Sequence, residues 1–178
     1  MIKVLVADNH PIVRIGLETA LNNNGITEVI GSVSTTTELF NALSTKNPDV
    51  ILLEMDIPEV NGITALRRLK KDQSDIKVLI YSTQAEDVYA LSTLRAGASG
   101  YVSKTASLDT LIDAIKRVAN GGMFITNELA QRLAFDESTN KPRKLFRKLF
   151  RNYFETILII FLIFFKIKIV WKLFFKYF

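Results

Sequence analysis

The sequence predicts a doubly wound α/β fold built on a parallel sheet, and three observations predict it. Short apolar runs alternate with segments of helical periodicity over residues 1–120. The runs are apolar throughout, as strands covered on both faces must be. Turn chemistry at Asp8-Asn9, Asn61-Gly62 and Gly121-Gly122 marks the switches from one kind of segment to the other.

The elements follow in order. Lys3–Ala7 is the first strand, and Pro11 opens a helix carried by Ile12, Val13, Ile15, Leu17 and Leu21, since proline is tolerated in a first turn. Val29–Val33 and Thr37–Leu43 form the second strand and helix. Val50–Leu53 is the third strand, and the Asn61-Gly62 turn introduces helix Ile63–Lys71. Val78–Tyr81 is the fourth, followed by helix Asp87–Arg95, which stops at Gly97. Tyr101-Val102 lies in the fifth, and helix Leu108–Asn120 ends at Gly121-Gly122. Five such repeats with right-handed crossovers give a flavodoxin-like sheet of order 2-1-3-4-5, with helices on both faces.

Composition sets the bounds. The chain has 178 residues, 48% of them apolar and 23% charged, enough for a sizeable core. It has no cysteine, which excludes disulfides, thiolate zinc sites and cysteine nucleophiles, and its single histidine, His10, has no partner for a histidine metal cluster. No apolar stretch of signal-peptide type follows Met1, so a cytoplasmic domain is expected. The net charge of +5 conceals a division. Residues 1–140 carry 13 basic and 17 acidic side chains, whereas residues 141–178 carry 10 basic ones and a single acid, Glu155. The expected organisation is a domain over 1–120, a short helix and linker over 121–144, and a basic, aromatic-rich tail over 145–178.

In sheets of this kind ligands gather at the carboxyl ends of the strands. Asp8 and Asn9 follow the first strand, Glu54 the third, Ser82 ends the fourth and Lys104 follows the fifth. Each alone is an ordinary loop or surface residue. Together they suit a phosphoryl group handled with a divalent cation: hard oxygens hold Mg²⁺, the hydroxyl donates to a phosphoryl oxygen, and the ammonium neutralises what remains. A flavin phosphate site would want a Ser/Thr/Gly-rich loop after the first strand. A phosphatase nucleophile there would want a second acid two residues on, and Asp8-Asn9-His10-Pro11 offers neither.

Three segments carry a family resemblance: Val6-Ala7-Asp8-Asn9-His10-Pro11-Ile12-Val13-Arg14, Asn47-Pro48-Asp49-Val50-Ile51-Leu52-Leu53-Glu54-Met55-Asp56-Ile57-Pro58, and Gly100-Tyr101-Val102-Ser103-Lys104. In this order they resemble the receiver domain of bacterial two-component response regulators, most closely the NarL/FixJ branch that carries a LuxR-type helix-turn-helix. The likeness runs from Met1 to about Arg132. It implies a phosphorelay signalling module of a transcription-regulator family, served by a sensor histidine kinase, and not an enzyme with turnover. It implies Mg²⁺ held at Asp8 and Asn9, with Glu54 and the backbone carbonyl of Asp56 completing the protein ligands. Glu54 stands at the phosphoacceptor position, four residues before Pro58. Ser82 matches the switch hydroxyl, Tyr101 the switch aromatic and Lys104 the lysine that pairs with the phosphoryl group. His10 is expected to cap or pack at the start of the first helix. The resemblance also implies a homodimer through the fourth helix and fifth strand, near Arg95-Ala96-Gly97.

Two departures bear on function. The family has aspartate where Glu54 stands and usually a second acid where Asn9 stands. Glutamate places its carboxylate about 1.5 Å further out, and a misplacement of about 1 Å costs in-line chemistry on the order of a hundredfold. Losing the charge at position 9 weakens Mg²⁺ binding. The expectation is a receiver phosphorylated poorly or not at all at Glu54, whose longer carboxylate reaches toward Lys104 and Ser82 and imitates part of an acyl phosphate. Asp56 is the alternative acceptor.

The likeness ends after Asn120–Leu133 and a polar linker over Phe135–Lys144. The family continues with a helix-turn-helix opening on a Leu-Thr/Ser-x-Arg-Glu signature, which Leu149-Phe150-Arg151-Asn152-Tyr153 lacks, so sequence-specific DNA binding by this chain is not expected. Residues 145–178 consist mainly of types that A/T-rich codons supply, as in a truncated or frame-shifted ending. Two other readings stay open. Leu145, Phe146, Leu149, Phe150, Tyr153, Phe154 and Ile157 face away from Lys144, Arg147, Lys148 and Arg151 at helical spacing, which suits a membrane-surface anchor. Basic residues with interleaved aromatics also suit nonspecific nucleic-acid binding. The uncharged run Thr156–Phe165 falls short of the ~20 residues a bilayer span needs.

Overall fold

The apolar runs form one sheet in the computed structural model of the chain, which describes residues 1–126 and 129–131. The elements run β1 (Ile2–Ala7), α1 (Pro11–Asn22), β2 (Thr27–Val33), α2 (Thr36–Leu43), β3 (Val50–Leu53), α3 (Gly62–Asp72), β4 (Val78–Ser82), α4 (Glu86–Arg95), β5 (Gly100–Ser103) and α5 (Leu108–Ala119). The strands pair in parallel in the order β2-β1-β3-β4-β5, the doubly wound arrangement expected. β3 is buried at all its positions, as a central strand with helices on both faces must be.

Side-chain alternation along the strands divides the core in two. One face gathers Val4, Val6, Val50, Leu52, Leu79 and Val102 against Leu17 and Leu21 of α1 and Leu111, Ile115 and Val118 of α5. The other carries Leu5, Ile51, Leu53 and Ile80, and Leu39, Leu66 and Leu69 of α2 and α3 are likewise buried. Local signals fix the helix starts. Thr35, Asn61 and Ser107 each accept the backbone N–H three residues on, which caps α2, α3 and α5.

β2 begins at Thr27, ahead of the apolar run that starts at Val29. The Thr27 hydroxyl donates to Leu21 O at 2.6 Å and the Asn24 side chain accepts from Thr27 N at 3.0 Å, so side-chain hydrogen bonds order a stretch that hydropathy does not mark. Gly62 has a steric reason. A Cβ there would lie 2.7 Å from Met55 Cα and 2.9 Å from Glu54 O, so only glycine lets α3 begin this close to the third strand's end.

The compact unit runs from Met1 to Ala130. The tail expected over 145–178, with the anchor, nucleic-acid and frame-shift readings placed on it, lies outside the described residues, as does most of the short helix and linker expected over 121–144. Among the described residues no helix is long and apolar enough to cross a membrane.

Candidate functional site

Parallel pairing in register brings the ends of β1, β3, β4 and β5 to one rim, and with them four of the residues singled out in the sequence. Asp8 follows β1 and is 2% exposed, Glu54 follows β3 and is 1% exposed, Ser82 closes β4 and is fully buried, and the Lys104 side chain after β5 is 8% exposed. The backbone fixes these positions: Glu54 N donates to Ala7 O at 2.9 Å and Lys104 N to Ser82 O at 2.8 Å.

Glu54 is the hub. Its Oε1 accepts from the Ser82 hydroxyl, from Met55 N at 2.6 Å and from Asp56 N at 3.3 Å. Its Oε2 lies 2.5 Å from Lys104 Nζ, which is also 2.5 Å from Asp8 Oδ2. Both contacts are ion pairs between a buried ammonium and a buried carboxylate. Burial pulls the Lys104 ammonium down, and the contacts with Asp8 and Glu54 together outweigh it, so its pKa ends above the ordinary lysine value.

The other oxygen of Asp8 is spoken for locally. Oδ1 accepts from His10 N at 2.8 Å and lies 3.1 Å from His10 Nδ1, while the Asp8 carbonyl accepts from Arg14 Nη1 at 2.7 Å. His10 sits at the N-cap of α1 as expected, but it makes no side-chain capping bond and turns its ring to Asp8 instead.

The donor set suits a hard cation. Among the described residues Asn9 Oδ1 is buried without a hydrogen-bond partner, Asp8 Oδ2 and Glu54 Oε2 face the Lys104 ammonium, and ligand atoms of Asp8, His10 and Glu54 lie within 4.8 Å of one another. Carboxylate and amide oxygens are what Mg²⁺ takes. The Lys104 ammonium touches the same two carboxylate oxygens, so a divalent cation here competes with a lysine.

From this hub a hydrogen-bonded chain runs to Tyr101. The Ser82 hydroxyl accepts from Gln84 N at 3.2 Å, and the Tyr101 hydroxyl donates to Gln84 O at 2.8 Å. Gln84 Nε2 donates to Asp56 Oδ1 at 2.7 Å, tying the loop after β4 to the loop after β3. Tyr101 is fully buried, and burial above all pushes its phenol up to about 12, with the nearby Ser82 hydroxyl acting the other way. Gln84, His10 and Arg14 are the participants that sequence reasoning did not assign here. A lone glutamine two residues after a strand carries no signal that separates it from any other polar loop residue.

Comparison with known proteins agrees with this geometry. Residues 4–116 match the response regulator receiver domain family. The chain is 35% identical over 134 residues to response regulator GacA of Pseudomonas aeruginosa, covering 75% of this chain and 63% of that protein. It is 30% identical over 137 residues to response regulator UvrY of Escherichia coli, covering 77% and 63%. It thus spans less than two thirds of these relatives' length. A solved LuxR-family two-component response regulator from Aurantimonas sp. superposes with a TM-score of 0.69 at 26% identity, over 76% of this chain and 97% of that one. A match over more than half the sequence, on the sheet whose strand ends carry Asp8, Glu54 and Lys104, makes this chain a member of the response regulator receiver family of two-component systems, related to regulators of LuxR and NarL type.

Proposed function

We propose that this receiver works without phosphorylation, and that Glu54 does from within what a phosphoryl group does when attached at that position. The observation that carries the reading is the division of labour at its carboxylate: the Ser82 hydroxyl and two backbone N–H groups on Oε1, the Lys104 ammonium on Oε2. A phosphoryl group would call on the same hydroxyl and ammonium. With both engaged, Ser82 and Tyr101 are held in one arrangement through Gln84.

The carboxylate is also a poor phosphoacceptor here. Both oxygens are occupied, and the ammonium shields the oxygen that would attack. Mg²⁺, when bound, would sit at Asp8, Asn9, Glu54 and the Asp56 carbonyl and would neutralise phosphoryl oxygens. With Asn9 uncharged and Lys104 in place, that affinity is low. Asp8 keeps the ammonium beside Glu54, and His10 and Arg14 keep Asp8 oriented.

In this reading the chain is a switch without turnover in a sensor-kinase pathway that regulates transcription, in keeping with relatives named as response regulators and, in Brevibacillus brevis, as a transcriptional regulatory protein. A second copy is a further partner, meeting it through α4 and β5, where Val88 and Tyr89 are exposed. Labelling with acetyl phosphate tests the central point. The native chain is expected to take up no stoichiometric acid-labile phosphate, and Glu54→Asp to gain it. Stoichiometric label at Glu54 would overturn the reading.

A further inference from the structure

The chain does not leave the sheet for good at the end of α5. Lys77 Nζ donates to Ala119 O at 2.6 Å, and Gly121 takes a left-handed conformation (φ 82°) with its N–H on Val118 O at 2.9 Å, so the backbone reverses there. The next residues come back along β5. Phe124 N donates to Ser99 O at 3.0 Å and Tyr101 N to Phe124 O at 3.1 Å, a parallel bridge of Phe124 with Gly100. Gly100 bears the imprint of this approach: a Cβ there would lie 2.6 Å from Phe124 O. The start of the β5 edge, at Ser99–Tyr101, is paired by the chain itself.

The segment is then pinned to α4. The Thr126 hydroxyl donates to Glu86 Oε1 at 2.9 Å, on the first residue of that helix, and accepts from Leu129 N at 3.3 Å. Ala130 N donates to Thr126 O at 3.0 Å, and Leu129 is 4% exposed. Tyr101 therefore has two masters: its backbone N–H is held by Phe124, and its hydroxyl by Gln84. Glu86 lies two residues after Gln84, so a rearrangement of the loop after β4 moves both the tyrosine and the residue that holds Thr126.

We propose that residues 123–126, with Leu129 and Ala130, are an output strap, clamped to β5 and to the first turn of α4, whose hold is coupled to the Ser82–Gln84–Tyr101 chain. The switch is then read through the polypeptide itself, by whatever follows residue 130. A segment held by two backbone bonds, one side-chain bond, a buried leucine and the partly buried Phe124 has few ties beside a helix of the core, so it can open locally, which is what a switched element needs. Coupling is reciprocal, so loosening the strap must also loosen the switch. Only the direction of the signal rests on the reading of Glu54.

Hydrogen exchange on the full chain tests this with Thr126→Val, Thr126→Ser and Glu54→Ala. Thr126→Val is expected to speed exchange about tenfold at Tyr101, Phe124 and Ala130 and at Val88 and Tyr89 in α4, with Val6 and Leu52 unchanged. Thr126→Ser, which keeps the hydroxyl, is expected to behave as native. Unchanged exchange at Phe124 and Ala130 in Thr126→Val would overturn the strap, and a loosened strap beside an unaltered α4 and Tyr101 would overturn the coupling. In Glu54→Ala, faster exchange at the strap supports the coupling, and a loosened Gln84 beside a fully protected strap contradicts it. If Glu54→Ala alters neither, the reading of Glu54 as a built-in substitute for the phosphoryl group fails, and the Thr126→Val result alone decides the strap.

Discussion

The Ser82 hydroxyl donates into Oε1 of Glu54, joining the ends of two neighbouring strands through a bond that both chain position and side-chain length make possible. An aspartate at position 54 would hold its carboxylate about 1.5 Å further back. The extra methylene lets one carboxylate meet the hydroxyl after β4 and the ammonium after β5 together. Chemistry at this rim therefore turns on a length, since the charge at position 54 is the same for either acid.

Replacing Lys104 with methionine leaves the buried carboxylates of Asp8 and Glu54 without the ammonium that joins them. Breaking a buried pair in this way costs about 3–5 kcal/mol. Urea unfolding at neutral pH is expected to show that loss, and Mg²⁺ is expected to restore part of it, because the divalent ion takes over the oxygens the ammonium held. A Lys104→Met chain as stable as native, and indifferent to Mg²⁺, would contradict the placement.

Tyr101 provides a spectroscopic handle. Its phenol is raised to about 12, chiefly by burial, whereas in the unfolded chain a tyrosine titrates near ~10. A raised folded value means that the unfolded state releases its proton first. The tyrosine's contribution to stability is therefore complete below pH ~10 and fades as the pH rises toward 12. Phenolate absorbance of the native chain is expected to contain a late phase near 12 that Tyr101→Phe removes.

Glu59 holds an acid-sensitive tie. It is a non-glycine residue at positive φ (80°), and its carboxylate accepts from Thr37 N at 2.7 Å and the Thr36 hydroxyl at 2.8 Å, so it caps α2 from the loop after β3. Contacts with Thr37, then Thr36, hold its carboxyl below the ordinary value. A depressed folded value gives stability that is present above the unfolded pKa and lost as the pH falls through the folded one. Exchange at Thr37 is expected to quicken below about pH 4 in the native chain. In Glu59→Gln it is expected to be fast throughout the acid and neutral range. Equal pH profiles for the two would refute the tie.

The fold was legible because periodicity and burial agree. Val50–Leu53 is apolar throughout and central, and Thr35, Asn61 and Ser107 are caps of ordinary type. The pocket was legible because strand ends are where a doubly wound sheet gathers side chains, and Asp8, Glu54, Ser82 and Lys104 each stand at one. What escaped is what depends on tertiary contact alone. Gln84 matters through partners on two other loops, and Phe124 through one parallel bridge to Gly100. Neither leaves a periodic trace. The early start of β2 is of the same kind, set by the side chains of Asn24 and Thr27.

The most direct measurement of the central claim is an NMR titration with beryllofluoride and Mg²⁺, followed at the amides of Ser82, Gln84 and Tyr101 in the native chain and in Glu54→Asp. The native spectrum is expected to stay still, because Ser82 and Lys104 are already engaged by Glu54. That of Glu54→Asp is expected to move toward the native positions as the fluoride adduct takes the missing methylene's place. A native chain whose Ser82 and Tyr101 signals shift as far as those of Glu54→Asp would contradict the account.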